Sequence, residues 1–391
     1  MKKRIIQKEI DLIEDELLDL CEKIHANPEL SFKEYKASQW IIELLRKHGF
    51  EVREGIAGLD TAFKARFKSK NPGPRVAFLA EYDALPEIGH GCGHNIIATC
   101  SVGAAIGLSK VLEGLAGEVL LIGTPAEEGG GGKIILLEEN EFEDVDYALM
   151  IHPTSHRSII GRGGLAATRV TVEFKGKATH SSAPEDGINA LSAVISVFNG
   201  IDALRATFDM KSNINGIITN GGDAANIIPE YASCDFSVRA KNLVELKNLI
   251  KMIKRIVNSV EVLTGAKASI DIGRLYAERY PNITIGESFK SNMAELGEEM
   301  GYPDPDRKVG SSDIGNVTLK VPAIHSYLSI ADESVNAHSI EFTKASISKR
   351  AKEIAIRGAK GLAMTGYDIL YSEELRKKIN NEFQEKIPKI Y

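Results

Sequence analysis

Long apolar runs are missing from this 391-residue chain. No stretch is long enough to span a bilayer. The first twenty residues carry charge throughout (Lys2, Lys3, Arg4, Lys8, Glu9, Asp11, Glu14, Asp15, Glu16), so the uninterrupted core of a signal peptide is not there either. Cysteine is scarce: Cys21, Cys92, Cys100 and Cys234 have no disulfide-framework spacing, so a reducing compartment is expected and the chain reads as a cytoplasmic protein with a charged surface helix at its start. A strong excess of one charge is missing as well. A net charge of −6 with 26% charged residues of mixed sign leaves no basic patch for nucleic acid. Internal repeats and low-complexity linkers are absent. What remains is an ordinary globular composition, 43% hydrophobic, at a length that suggests two domains.

The order of patterns gives the fold class. Apolar positions at Ile10, Leu12, Ile13, Leu17, Leu18, Leu20 and Ile24 predict an amphipathic helix over 7–24, and a second is expected at 33–48. Short apolar strands at 75–80, 118–123 and 147–151 then alternate with helices at 95–112 and 132–139, which indicates an α/β layer with a largely parallel sheet flanked by helices. From 168 the pattern changes. A strictly alternating strand at 168–175, a helix at 187–206, strands at 214–219 and 231–239, a helix at 242–264 and a strand at 268–275 follow. That order, β-α-β-β-α-β, is ferredoxin-like, with helices on one face of an α+β unit and the other face open. The α/β pattern resumes with a helix at 284–300, the run Val321-Pro322-Ala323-Ile324-His325, and a helix at 343–365. The domains expected are therefore 1–167 with 280–391, interrupted by an insertion at 168–279. Gly163-Gly164 and the segment near Tyr280-Pro281 are the natural hinges.

Two short runs hold the chemistry. His90-Gly91-Cys92-Gly93-His94-Asn95 follows one apolar stretch; Pro125-Ala126-Glu127-Glu128, with four glycines behind it, follows another. Together they set a thiol, imidazoles and paired carboxylates on glycine-softened loops, the donors needed to hold a divalent metal and activate a water. Asn95 is placed to cap the next helix, whose N-terminus is expected to draw Cys92 toward thiolate, a strong ligand for zinc-like metals. For that run alone, a packed cysteine beside a structural histidine is the competing reading; the second run weighs against it. Glu127 and Glu128 are adjacent and point to different sides, so one can bind metal while the other faces the bound water as general base. Four consecutive glycines are entropically costly and imply close backbone approach. His152 ends a buried strand, where open α/β sheets form ligand crevices, although a hydrogen-bonded core histidine fits that position too. His338, before the last long helix, is unremarkable alone.

With these residues in view, the chain resembles the two-domain dinuclear metallopeptidase family of aminoacylases, glutamate carboxypeptidases and plant indoleacetyl-amino-acid hydrolases. The likeness runs over nearly its whole length. It is also carried by His25-Ala26-Asn27-Pro28-Glu29-Leu30-Ser31-Phe32, Asp83-Ala84-Leu85-Pro86, Gly176-Lys177-Ala178-Thr179-His180, Asn226-Ile227-Ile228-Pro229 and Gly310-Ser311-Ser312-Asp313-Ile314-Gly315. The asparagine closing the Cys-Gly-His run is most similar to the branch of p-aminobenzoyl-glutamate hydrolase and related dipeptidases. The resemblance implies that Cys92, His94, Glu128, His152 and His338 ligate the metals and that Glu127 is the general base. It implies that His180, on the inserted domain, reaches a neighbouring subunit's site and steadies the oxyanion, and that this domain is a dimerisation lid. Asn226 would help hold the substrate, often by its free carboxylate, with Arg239 a weaker candidate; His325 and Asp313 would line the pocket. One departure stands out. Many members have a histidine two residues before the aspartate matched by Asp83, and here that place is Glu81. Asp83 is then expected to orient a ligand, and Glu81 stays open as a ligand itself.

The expectation is a metal-dependent amidohydrolase acting on small N-acyl amino acids or dipeptides, a homodimer with two divalent ions per subunit. Zinc or manganese is expected, with cobalt and nickel open. A dipeptidase of narrow specificity, such as one preferring a basic C-terminal residue, is the first alternative, and a non-catalytic metal-binding protein of the same fold the second.

Overall fold

A computed structural model of the chain describes residues 1–209, 211–305 and 309–388. The chain divides into two compact units, 1–163 with 279–391, and 164–278. The second begins earlier than the alternating pattern suggests, because Ala167 already pairs with Tyr276.

The first unit opens with α1 (Lys2–Leu12), α2 (Glu14–Ala26) and α3 (Tyr35–Lys47). The single helix expected at 7–24 is broken at Ile13, which leaves the helical region. Strands β1 (Glu51–Glu54), β2 (Phe63–Lys68) and β3 (Asn71–Ala80) precede α4 (His94–Ser109); β4 (Ala116–Gly123), α5 (Gly132–Glu138) and β5 (Tyr147–Thr154) follow. Strand β5 is longer than predicted, so His152 lies within it rather than after it.

The second unit holds β6 (Ala166–Lys175), β7 (Thr179–His180), α6 (Ala190–Leu204), β8 (Asn213–Asn220), β9 (Ile227–Ile228), β10 (Tyr231–Ala240), α7 (Leu243–Thr264) and β11 (Lys267–Ile272). The chain then returns to the first unit with α8 (Ile283–Glu295), α9 (Ile314–Lys320), β12 (Ala323–Ser329), α10 (Ile340–Ala345), α11 (Lys349–Tyr371) and α12 (Glu373–Lys386).

The larger sheet has the order β1-β2-β4-β3-β5-β12. Its β4-β3-β5-β12 part is parallel, and β1-β2 form an antiparallel edge. Helix α4 is buried along its whole length, as expected of a helix apolar on every side. It packs on β3, β4 and β5 and is itself covered by α2 and α11. The smaller sheet, β11-β6-β10-β8, is antiparallel throughout. In β6 and β10 the residues Val170, Val172, Phe174, Cys234, Phe236 and Val238 are buried, and α6 and α7 pack against these two strands. This is the ferredoxin-like unit with helices on one face. Among the described residues no helix is long and apolar enough to cross a membrane.

Candidate active site

The parallel strands deliver their C-terminal ends to one edge of the large sheet, where open α/β sheets form crevices. The segment Glu81 to Asp83 leaves β3, Glu127-Glu128 leave β4, His152 lies near the end of β5, and His325 and Tyr327 sit on β12. In the parallel pairing Tyr327 stands beside His152.

Asp83 organises the centre. Its Oδ1 is 3.0 Å from His94 Nδ1, and its carbonyl oxygen is 2.8 Å from the same nitrogen. Its Oδ2 accepts from the Glu128 backbone N–H at 3.0 Å and the Ser31 hydroxyl at 3.2 Å. One buried carboxylate thus fixes the ring carried by α4 and the loop after β4, as an orienting partner of a ligating histidine does. His94 Nε2 is turned inward, 3.4 Å from Glu81 Oε2 and 3.9 Å from Glu128 Oε1.

The donors converge in overlapping groups. Ligand atoms of Cys92, His94 and His152 lie within 4.8 Å of one another, as do those of Cys92, Glu128 and His338, and those of His94, Glu127 and Glu128. Cys92 is common to the first two groups. His338 arrives through a left-handed backbone (φ 61°) pinned by its N–H to Gly91 O at 3.0 Å. Such a conformation is strained outside glycine and clusters at functional sites.

The helix start differs from expectation. Gly93 caps α4 with φ 73°, while Asn95 lies inside the helix and donates to Cys21 Sγ and the Ser346 carbonyl. A Cβ at residue 93 would meet Pro153 at 2.6 Å, so both the backbone angle and the close approach require glycine. The four-glycine run has a comparable cause: a Cβ at Gly132 would fall on the Pro125 carbonyl oxygen.

Electrostatics overturns one expectation. The Cys92 thiol is pushed well above its usual value by burial, and by Glu128 and Glu127 close by, rather than drawn down by the helix terminus. Burial, with Glu81 and Glu128 next to it, likewise holds Glu127 well above the carboxylate range. Burial opposes charge on His94, but Asp83, Glu81 and Glu128 outweigh it and raise that imidazole. Burial lowers His152 to about 4. Among the described residues, His94 Nε2, Glu81 Oε2 and Glu128 Oε1 are buried without a hydrogen-bond partner. Orphaned polar atoms are costly, and these converge with a thiol and imidazoles. The donor set therefore fits divalent metal, whose binding displaces protons from such groups.

Asp313, expected in the pocket lining, is instead fully buried, with both oxygens taken by Lys133. His325 is buried as well. Its Nδ1 accepts from Arg279 Nη1, which also donates to the Tyr327 hydroxyl at 3.0 Å, while Arg279 Nη2 donates to Gly163 O at 3.2 Å. Arg162 stacks on the Tyr327 ring, 4.3 Å from its centroid. The Nε atoms of Arg279 and Arg162 and Nε2 of His325 are buried and without a partner among the described residues.

Lys133, Arg279, Arg162 and Tyr327 were not found from sequence. The one available signal was Lys133 itself, a cation between glycine and an apolar helix turn.

On the second unit, β7 pairs with β9, and Ser181 N donates to Asn226 O at 3.0 Å, which brings His180 and Asn226 together. The exposed His180 ring is held through Nδ1, 2.7 Å from Ser182 Oγ. Arg239 lies on β10, between Ala167 and Asn213.

Residues 160–263 match the family described as the peptidase dimerisation domain. The Xaa-Arg dipeptidase of Mus musculus is 37% identical over 98% of this chain and 93% of its own length. A p-aminobenzoyl-glutamate hydrolase subunit from Escherichia coli is 29% identical over 75% of this chain and 65% of that protein. A Bacillus subtilis structure described as a dinuclear metal-binding peptidase of the M20 family shares the fold, with a TM-score of 0.66 and 21% identity, covering 90% of this chain and 98% of that one. Identity of that extent with a dipeptidase, on this fold and around this set of donors, makes the chain a member of the M20 family of metal-dependent peptidases and amidohydrolases, a hydrolase of peptide or amide bonds.

Proposed function

We propose that this enzyme cleaves dipeptides or small N-acyl amino acids that end in a free carboxylate, at a centre of two divalent ions. Cys92, His94, Glu128, His152 and His338 would hold the ions. The observation that carries this reading is the convergence of the partnerless His94 Nε2 and Glu128 Oε1 with the Cys92 thiol. Zinc or manganese suits a thiolate, imidazole and carboxylate set, with cobalt and nickel able to substitute. When bound, such ions polarise the scissile carbonyl and supply hydroxide near neutral pH.

The protein residues do the rest. Glu127 takes the proton from the attacking water and returns it to the leaving amine. Asp83 keeps the His94 ring in one orientation. The carboxylate of the substrate is received by Arg279, Arg162 and His325, whose partnerless buried N–H groups need an acceptor. Asn226, with Arg239 beyond it, would hold the same end of the substrate. His180, supplied by the second unit of a partner subunit in a homodimer, donates to the oxyanion. The similarity to Xaa-Arg dipeptidases over nearly the full chain favours a dipeptide over an acylated amino acid.

The test is amide hydrolysis by protein reloaded in turn with zinc, manganese and cobalt, against dipeptides, acetylated amino acids and p-aminobenzoyl-glutamate. Glu127→Gln is expected to retain its metals and lose turnover by at least about 100-fold, the usual weight of a general base. Normal turnover by that variant refutes the assignment.

A further inference from the structure

Lys133 has no part in the hydrolysis just described, yet it is completely buried beside it. Its ammonium donates to Glu81 Oε1 at 2.5 Å and Asp313 Oδ1 at 2.7 Å, and its backbone N–H donates to Asp313 Oδ2 at 3.0 Å. Three segments meet there: the residue after β3, the start of α5 and the residue before α9. Carboxylate oxygens of Glu81, Glu127 and Asp313 lie within 4.8 Å of one another. Three acids so close cannot stay buried and charged without a cation. In this chain the cation is a covalent part of the protein.

The arrangement excludes other tasks for Lys133. An ammonium with two buried carboxylate partners is not a nucleophile. Nor is it a simple core lysine, because the second oxygen of Glu81 faces the metal centre, 3.4 Å from His94 Nε2. The loop carrying Glu127 and Glu128 runs into the first turn of α5, where Lys133 sits, so the contacts that fix the ammonium also fix where that loop returns to the fold.

We propose that Lys133 is a positioning residue: a built-in cation that keeps Glu81 and Asp313 as its own counter-ions. Asp313, with both oxygens engaged, then does not compete with Glu128 for metal, Glu81 is held by Oε1 with only Oε2 toward the centre, and Glu127 is left set for the attacking water. This rests on the reading of Glu127 as the base.

The experiment compares Lys133→Met, the double variant Lys133→Met/Asp313→Asn and Glu127→Gln. Metal content, kcat and KM are measured for each on one cleaved dipeptide. Lys133→Met is expected to keep its metals and KM while kcat falls about 100-fold, the cost of a misplaced catalytic group. The double variant, with one acid fewer to balance, is expected to recover at least about tenfold of that loss, which a purely structural lysine would not show. If Lys133→Met is too unstable to purify, the double variant alone decides: metal-loaded protein within about tenfold of wild-type kcat supports the proposal, since coupled neighbours compensate. A wild-type kcat in Lys133→Met overturns it, as does a double variant no better than the single. An active Glu127→Gln would instead sink the underlying assignment of the base.

Discussion

A single buried carboxylate, that of Glu34, sets the backbone that leads into Glu127 and Glu128. Its Oε1 accepts from the N–H groups of Phe32 (3.0 Å) and Ala126 (2.9 Å), and its Oε2 accepts from the Thr61 hydroxyl (2.9 Å). Both backbone donors belong to residues with left-handed φ, 64° and 59°, so the carboxylate holds strain in place directly before Glu127. Removing it in Glu34→Ala strands two N–H groups at about 1–3 kcal/mol each, and a clear fall in melting temperature with weaker metal binding is expected. Glu34→Gln keeps the accepting oxygen and should keep activity. Its pH response should differ, however. Burial raises the Glu34 carboxyl to about 7 from 4.5, so its contribution is full below about 4.5 and is lost as pH rises through 7. Denaturant unfolding at pH 5 and pH 8 should show wild type losing stability relative to Glu34→Gln between the two; parallel behaviour would refute the buried titration. The convergence of donor side chains was legible where a motif carried it, as at Cys92, His94, Glu127 and Glu128. It was not legible where the partner is distant in sequence. Nothing near Arg279 names His325, and nothing near Cys92 announces the carboxylates that fold against it and hold its proton.

Element by element, α7 could be read from its apolar period, while α4 and the buried strands could be read as continuous apolar runs of different length. The break between α1 and α2 at Ile13 could not, since apolar spacing continues across it. Strands β1 and β2 escaped because they are short and largely charged, and they pair at an antiparallel edge. The final helix was expected at 343–365, but α10 and α11 are separate, with Ser348 accepting from Ala351 N to cap the second. The start of α5 gives a test at this scale. In Gly132→Ala the new methyl would meet the Pro125 carbonyl, a clash costing about 1–3 kcal/mol if absorbed by backbone shifts. The loop of Glu127 and Glu128 is what would move, so kcat should fall well before the fold is lost. Circular dichroism and turnover on the same sample decide this, and unchanged turnover would show that the loop tolerates the shift.

For the whole molecule, the insertion was visible in sequence as a change of pattern between two stretches of α/β alternation, and the matched dimerisation domain covers most of it. The proposed role of His180 across subunits has a direct test. Glu127→Gln and His180→Ala dimers are each expected to be nearly inactive. Mixed and allowed to exchange, they should regain about a quarter of wild-type turnover, because half the dimers become hybrid and each hybrid has one complete site. No recovery, with exchange verified by mass, would place His180 in its own subunit's site.

The same insertion has a consequence for how the protein is made. Helix α4 is buried along its entire length, yet α11, which covers it, and β12, which completes the sheet beside β5, emerge only after the inserted unit. During synthesis the first half must wait with a greasy helix and an open strand edge, while the uninterrupted unit at 164–278 can close by itself. Chains halted before residue 323 should therefore aggregate or recruit chaperones, and a protease pulse on them should leave the inserted unit as the surviving fragment.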